Sequence, residues 1–378
     1  MIKEERRMKK LHSWQPAYKI SSKIARALMD IESAKTIVER TALPPAVEAE
    51  LRRAAMVRST HFSTRIEGNR LTLKEAQEVI ERKKTSFHGR ERDISEVRNY
   101  WNAILKVEEW AAKRVEFSED LIKKLHAIVE KGKRSKATPY RTGQNVIKDS
   151  ATGAIVYMPP EAKDVHKLMS EMAAWVRQAE RNGIPGPIIA ALAHYQFVTI
   201  HPYYDGNGRT ARLLATFLLH RDGYGMRGFF SMEEHHARDI EAYYNSLAVH
   251  KHHNYYEGRV DSDLTGWVEY FVVLLADVFK RAKDEALRCA KEGLPVEPEP
   301  LRKLDRRARV ILGLFAGKDV VSTQEMAAAL GLSDRMVLYL LTDWVKDGWI
   351  VLANPSRRSR AYKLSEIYQK YIGNNPPK

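Results

Sequence analysis

The sequence holds one cysteine, Cys289, in 378 residues. That excludes an internal disulfide framework and a cysteine-based zinc cluster. No window reaches the roughly 18 consecutive apolar residues of a membrane-spanning helix. Residues 1–15 are basic but carry no apolar segment, so no signal peptide is expected. The expectation is a cytoplasmic protein with no membrane partner. Strand-forming stretches are few, and there are no internal repeats or long low-complexity tracts. Hydrophobic residues make up 44% and charged residues 29%, a soluble globular composition, and the length suits two to three domains. Lys and Arg number 63 against 48 Asp and Glu, a net charge of +15. That balance suits a polyanionic partner without choosing one.

Apolar residues at helical spacing predict helices over 20–40, 46–62, 74–82, 94–114, 118–131, 162–181, 187–197, 210–220 and 264–291. The best strand signals are Val146-Ile147 and Ile155-Val156-Tyr157. They flank a turn-rich Lys148–Gly153 segment and predict a hairpin. Residues 292–300, EGLPVEPEP, read as a stiff linker. Four regions follow: 1–110 helical, 111–291 a core region that holds the hairpin, 292–300 the linker and 301–378 a separate domain.

The most informative stretch is HPYYDGNGRTAR, residues 201–212. Gly206-Asn207-Gly208 permits left-handed backbone and turns amide N–H groups to one side, a nest for an anion. A helix starting there adds free donors and positive potential. Arg209 and Arg212 lie three apart, share a helix face and suit phosphate oxygens. Asp205 beside phosphates suits Mg²⁺. His201 titrates near neutrality and suits a general base. Gly206-x-Gly208-x-x-Ala211 also fits a loose dinucleotide fingerprint, but the helical segment before it and the lack of strands argue against one.

Residues 201–212 resemble the Fic family signature, HPFxxGNGRxxR, with Tyr203 in place of the usual Phe. The resemblance extends to residues 140–160, which would form a β-hairpin flap that docks a target by strand addition, with Val146, Ile147, Val156 and Tyr157 as docking candidates. Upstream, Ser63-Thr64-Arg65-Ile66-Glu67-Gly68 matches the family's inhibitory pattern [ST]-x-x-x-E-[GN]. The resemblance implies a mainly α fold and transfer of AMP from ATP to a Tyr, Ser or Thr hydroxyl of a target protein or of the chain itself. His201 would be the base and Asp205 the Mg²⁺ ligand. Gly206, Asn207, Gly208, Arg209 and Arg212 would hold phosphates. Ser63, Glu67 and Gly68 would form a brake in which Glu67 pairs with Arg212. Tyr243 and Tyr244 are candidates for the adenine pocket. AMP removal or transfer of another phosphate-containing group are alternatives within the family, and a homodimer is compatible with it.

Other histidines (His235, His236, His250, His252 and His253) lack metal-binding spacing and read as solvent-facing. His194, seven residues before His201, reads as packed and structural. Residues 301–378 carry 14 Lys and Arg against 7 Asp and Glu. Two helices, a Gly331 turn, a helix from Ser333 and a basic hairpin look like a winged helix-turn-helix. Arg335, Arg357, Arg358 and Arg360 are its DNA-contact candidates. A DNA-binding regulator whose nucleotide site only senses its ligand is therefore the alternative to an enzyme.

Overall fold

The computed structural model describes residues 14–81, 86–132, 136–148, 152–292, 299–315, 318–356 and 360–372. The chain divides into two compact units, one of residues 1–40, 55–80 and 84–284, the other of 41–54, 81–83 and 285–378. Among the described residues no helix is long and apolar enough to cross a membrane.

The first unit is mainly helical. Its helices are α1 (Ser22–Arg40), the later part of α2 (Pro45–Ile66), α3 (Leu73–Ile80), α4 (Glu91–Ala112) and α5 (Glu119–Lys131). A two-stranded antiparallel hairpin follows, β1 (Ile147–Lys148) and β2 (Ile155–Tyr157). Then come α6 (Ala162–Arg181), α7 (Gly186–Ile200), α8 (Asn207–Arg221), α9 (Met232–Arg238), α10 (Ile240–Leu247) and the earlier part of α11 (Thr265–Glu292). The expected helices are present, and the differences fall at their ends. The helix expected over 46–62 runs on to Ile66, and that expected over 210–220 starts three residues earlier, at Asn207. The short α9 and α10 lie in a stretch where the sequence carried no clear period.

Helix α7 is the axis of this unit. Its sequence, GPIIAALAHYQFVTI, is apolar on every face, and all its residues but Val198 are buried. A helix without a polar face belongs in the core, where each large apolar side chain contributes roughly 1.5–3 kcal/mol on burial. It packs on α6 and α8. Trp267 of α11 is fully buried, and its Nε1 donates to Ala191 O at 2.7 Å. Ser118 caps α5, accepting from Leu121 N.

The second unit holds α12 (Glu299–Arg302), α13 (Arg306–Leu314), β3 (Val321–Ser322), α14 (Thr323–Leu330), α15 (Asp334–Lys346), β4 (Ile350–Asn354), β5 (Ala361–Leu364) and α16 (Glu366–Ile372). The strands form one antiparallel sheet in the order β3-β5-β4. Asp305 caps α13 and also accepts from Trp344 Nε1 at 2.9 Å, tying α15 to it. A capping box of Ser322 and Glu325 starts α14. Leu312, Val337, Leu341, Trp344, Trp349 and Ile350 lie in the buried core. Residues 293–298 of the expected linker lie outside the described residues.

Candidate active site

The site forms where α7 ends and α8 begins. His201 terminates α7 in the left-handed region, at φ 51° and ψ 60°. Such a backbone costs a non-glycine residue on the order of 1 kcal/mol. Its carbonyl is held by Arg141 Nε at 3.0 Å and Asn145 Nδ2 at 3.5 Å. Arg141 is buried and also donates to Gly143 O, Ile200 O and Pro160 O. His201 Nδ1 lies 3.3 Å from Val198 O. A carbonyl only accepts, so Nδ1 carries the proton and Nε2 keeps its lone pair. Burial pushes the imidazole down to about 4, against the Val198 contact and the Glu67 charge, which favour protonation. His201 is therefore neutral at pH 7 and fit to take a proton.

The loop after it is closed by its own side chain. Asn207 Oδ1 accepts from Tyr203 N at 3.0 Å, and Asn207 Nδ2 donates to Tyr203 O at 2.8 Å. The Asn207 amide is thus committed to the loop, leaving only its backbone N–H to meet a ligand. Tyr203 is buried as expected and stacks on His126 with ring centroids 3.5 Å apart. His126 Nε2 lies 2.9 Å from Asp205 O. Gly206, at φ 74°, makes the left-handed turn into α8. A Cβ there would come within 2.4 Å of Glu130 Oε1, so glycine is required on both counts. The first amides of α8, at Asn207, Gly208 and Arg209, have no intrahelical acceptor and carry the positive end of the helix.

The two arginines of the motif differ. Arg209 is buried and pairs with Glu130 at 3.0 Å, Asp205 at 3.2 Å and Glu96 at 3.7 Å. Three carboxylates absorb its charge, so it braces the loop. Arg212 is also buried. Its Nε donates to Ser63 Oγ at 2.8 Å, and its Nη2 donates to Ser63 O and Glu67 Oε1, both at 2.9 Å. Burial works against its charge, but the Glu67 carboxylate prevails and holds the guanidinium more firmly protonated than usual.

Glu67 lies one residue beyond the end of α2. Gly68, at φ 90°, turns the chain away there. The Glu67 carboxylate rests over the first turn of α8, where a Cβ on Gly208 would meet Oε1 at 2.2 Å. Arg212 is thus already engaged by an anion, a carboxylate set beside the first turn of α8.

Asp205 is different again. Its side chain is 58% exposed. Oδ1 accepts from Gly206 N at 2.6 Å and from Arg209, while Oδ2 has only a long 3.5 Å contact with Arg92. No group of three or more metal-ligating side chains occurs among the described residues. One exposed carboxylate beside an anion cradle nonetheless fits Mg²⁺, which keeps most of its waters and shares its ligands with phosphate.

Not every expected residue faces this cleft. Tyr243, expected at the adenine, is 1% exposed. Its hydroxyl meets His194 Nε2 at 3.1 Å, and the nearby Arg212 charge works against the burial that pushes the phenol up. Tyr243 cannot stack on a base. Tyr244 is half exposed and stays available. In the hairpin, Val146 falls just outside β1, while Ile147 lies within it. Val156 is exposed, whereas Tyr157 is buried with its hydroxyl donating to Thr199 O at 2.8 Å. Tyr157 therefore anchors the hairpin and leaves only its backbone for docking. His194 is packed as expected, stacked on Trp267, and burial lowers it to about 3. His236 is a correction: it is buried against Tyr243 and Tyr270 rather than solvent-facing. His126, Glu130, Arg141 and Asn145 were missed, because nothing local marks a residue whose partner lies 56 to 79 positions away.

In the second unit, Arg335 is exposed on α15 and Arg360 is half-buried at the start of β5, while Arg357 and Arg358 lie outside the described residues.

Comparison with known proteins agrees with this geometry. The Fic/DOC family model matches residues 116–219. A protein adenylyltransferase Fic of Drosophila mojavensis is 34% identical over 197 residues, 49% of this chain and 37% of the relative. That of Nematostella vectensis is 30% identical over 190 residues, 48% of this chain and 42% of the relative. The chain thus spans well under half the length of these curated relatives. The crystal structure of a Fic family protein from Desulfovibrio desulfuricans G20 is 26% identical with a TM-score of 0.59, covering 93% of this chain and 99% of that one. Fic-1 from C. elegans, at 22% identity and a TM-score of 0.53 over 71% of this chain and 73% of that one, shares the fold. The first unit of this chain therefore carries a Fic-type helical fold, with homology to Fic protein adenylyltransferases.

Proposed function

We propose that the chain is a protein adenylyltransferase held off by its own Glu67. One observation carries this reading: a neutral His201 stands beside an anion cradle whose Arg212 is engaged by a carboxylate from outside the motif. The relatives named as adenylyltransferases support the reaction class.

In this reading the phosphates of ATP lie on the first amides of α8, and Arg212 grips the terminal one. Asp205 would hold Mg²⁺, which when bound would neutralise phosphate charge. A target Tyr, Ser or Thr hydroxyl comes to His201, which takes its proton on Nε2. The hydroxyl oxygen bonds to the α-phosphorus as the bond to the bridging oxygen breaks, and pyrophosphate leaves. The chain's contribution is placement and charge stabilisation. While Glu67 holds Arg212, the terminal phosphate has no grip and ATP cannot align. The hairpin offers the exposed Ile155 and Val156 and its strand backbone for a target segment to pair with. The neutral base and exposed metal-binding carboxylate favour catalysis over ligand sensing, since a sensor needs neither.

The test uses Mg²⁺ and ATP labelled at the α-phosphate with wild type, Glu67→Gly, and Glu67→Gly with His201→Ala. Label on protein is expected in the Glu67→Gly form. Its absence from all three, with ATP still bound, sinks the transferase reading.

For the second unit we propose a winged helix-turn-helix. The helix order α13, α14, α15 and the sheet β3-β5-β4 support it. DNA is its proposed ligand through Arg335 and the basic hairpin. The exposed side of α15 carries Asp334, Asp343, Met336 and Tyr339 beside Arg335, so the hairpin would have to supply most of the attraction. A salt-dependent shift of duplex DNA by the full chain tests this.

A further inference from the structure

The end of α7 leaves a row of carbonyls that the helix itself cannot bond. The hairpin segment takes up most of them. Tyr157 donates its hydroxyl to Thr199 O at 2.8 Å, and the Arg141 guanidinium donates to Ile200 O at 3.5 Å and His201 O at 3.0 Å. The Arg141 backbone N–H donates to Pro202 O at 2.9 Å, and Asn145 Nδ2 donates to Tyr203 O at 3.0 Å. In return, the Tyr204 hydroxyl accepts from Gly143 N at 2.8 Å. Val198 O meets the motif's own histidine, at His201 Nδ1.

Arg141 is the centre of this clasp. It is 3% exposed, and its guanidinium donates to four main-chain carbonyls. Ile200 and His201 belong to the end of α7. Gly143 and Pro160 are the feet of the hairpin, one before β1 and the other after β2. The negative end of the α7 dipole favours the buried charge. A planar guanidinium also fixes the directions of its acceptors relative to one another, which a flexible ammonium does not.

His201 is the residue that gains most. Its left-handed backbone is disfavoured for any side chain, and Arg141 Nε holds the carbonyl that this turn directs outward. With the backbone held, the ring reaches back to Val198 O. We propose that Arg141 is a positioning residue for the proposed base: it locks His201 in the turn that sets Nδ1 on Val198 O and leaves Nε2 bare, and it fixes that ring in one frame with the hairpin on which a target would dock.

This inference rests on the transferase reading above, and two readouts keep them apart. Arg141→Lys keeps the charge but gathers its donors on one nitrogen, which cannot serve the end of α7 and both feet of the hairpin together. Arg141→Gln is neutral and free of the cost of a buried charge, and it serves where the lysine variant fails to fold. The first readout is nitrogen NMR of the His201 ring in the full chain at neutral pH, which needs no turnover. The ring proton is expected on Nδ1 in the wild type and shifted in part to Nε2 in the variant, because the tautomer follows the hydrogen bond. The second readout is label transfer in the Glu67→Gly chain. The variant is expected to lower kcat about tenfold, as a displaced base does, while KM for ATP changes less than about twofold. A His201 ring unchanged by the variant, or equal effects on kcat and on KM for ATP, overturns the positioning role. A ring that responds as expected in a chain whose Glu67→Gly form transfers no label sinks the transferase reading, while the lock on His201 stands.

Discussion

The two flanks of the α8 N-terminus are built on opposite plans. On one flank the Arg212 guanidinium is buried, with a 3% exposed side chain, and is bonded to Ser63 and to Glu67. On the other, Asp205 and Arg92 stand largely in water, with side chains 58% and 75% exposed and a 3.5 Å contact between them. Charges in water interact weakly, whereas the same charges enclosed set the state of a site. On the proposed function, the enclosed flank decides whether the site can work, and the open flank is left for a ligand to complete.

Substitutions on both flanks test that contrast. The largest effect belongs between them, at the base: His201→Ala is expected to lower label transfer by about 10³-fold, within the range of general-base catalysis. Glu67→Gly, on the enclosed flank, is expected to raise transfer on the order of a hundredfold, as release of the buried Arg212 guanidinium from its carboxylate partner permits. Equal rates in wild type and variant would erase the distinction drawn here.

Acid sharpens it further. His126, His194 and His201 are lowered by burial to about 4, 3 and 4 from 6.5. Between pH 6.5 and 4 the unfolded chain takes up protons that these buried rings refuse, so folding stability falls as pH drops through that window. Transfer by the Glu67→Gly form should persist down to about pH 5 and vanish as His201 protonates near 4. A midpoint near 6.5 in the pH–rate profile would contradict the enclosed base. The smallest effect belongs to the open flank. Arg92→Ala should shift stability by no more than about 0.5 kcal/mol, as exposed pairs do, measured by thermal unfolding.

The motif was legible in the sequence because its geometry is local. Gly206 makes the turn, Asn207 closes the loop on Tyr203 four residues back, and α8 follows at once. The Ser63–Gly68 pattern was legible for the same reason, with Ser63 and Glu67 one helical turn apart. What the sequence concealed was the depth behind these residues. No helical period marks a buried side for Tyr243, and only the packing of α10 shows its hydroxyl meeting His194. The paired His235-His236 looks polar in sequence, yet helix α9 turns one of the two into the core. Arg141 reaches His201 across 60 positions and Tyr100 reaches Glu233 across 133. No short-range pattern specifies either contact.

The position of Glu67 just beyond the end of α2, with Gly68 behind it, bears on speed. Helix ends fray and reform without disturbing the body of the helix. If Glu67 is the proposed brake, its release needs only a side-chain swing and a few degrees of freedom at one glycine, on the nanosecond-to-microsecond scale of terminal motions. A gate of that kind would keep pace with nucleotide arrival, so the proposed closed state would act as a fast equilibrium tax on every encounter rather than as a slow latch.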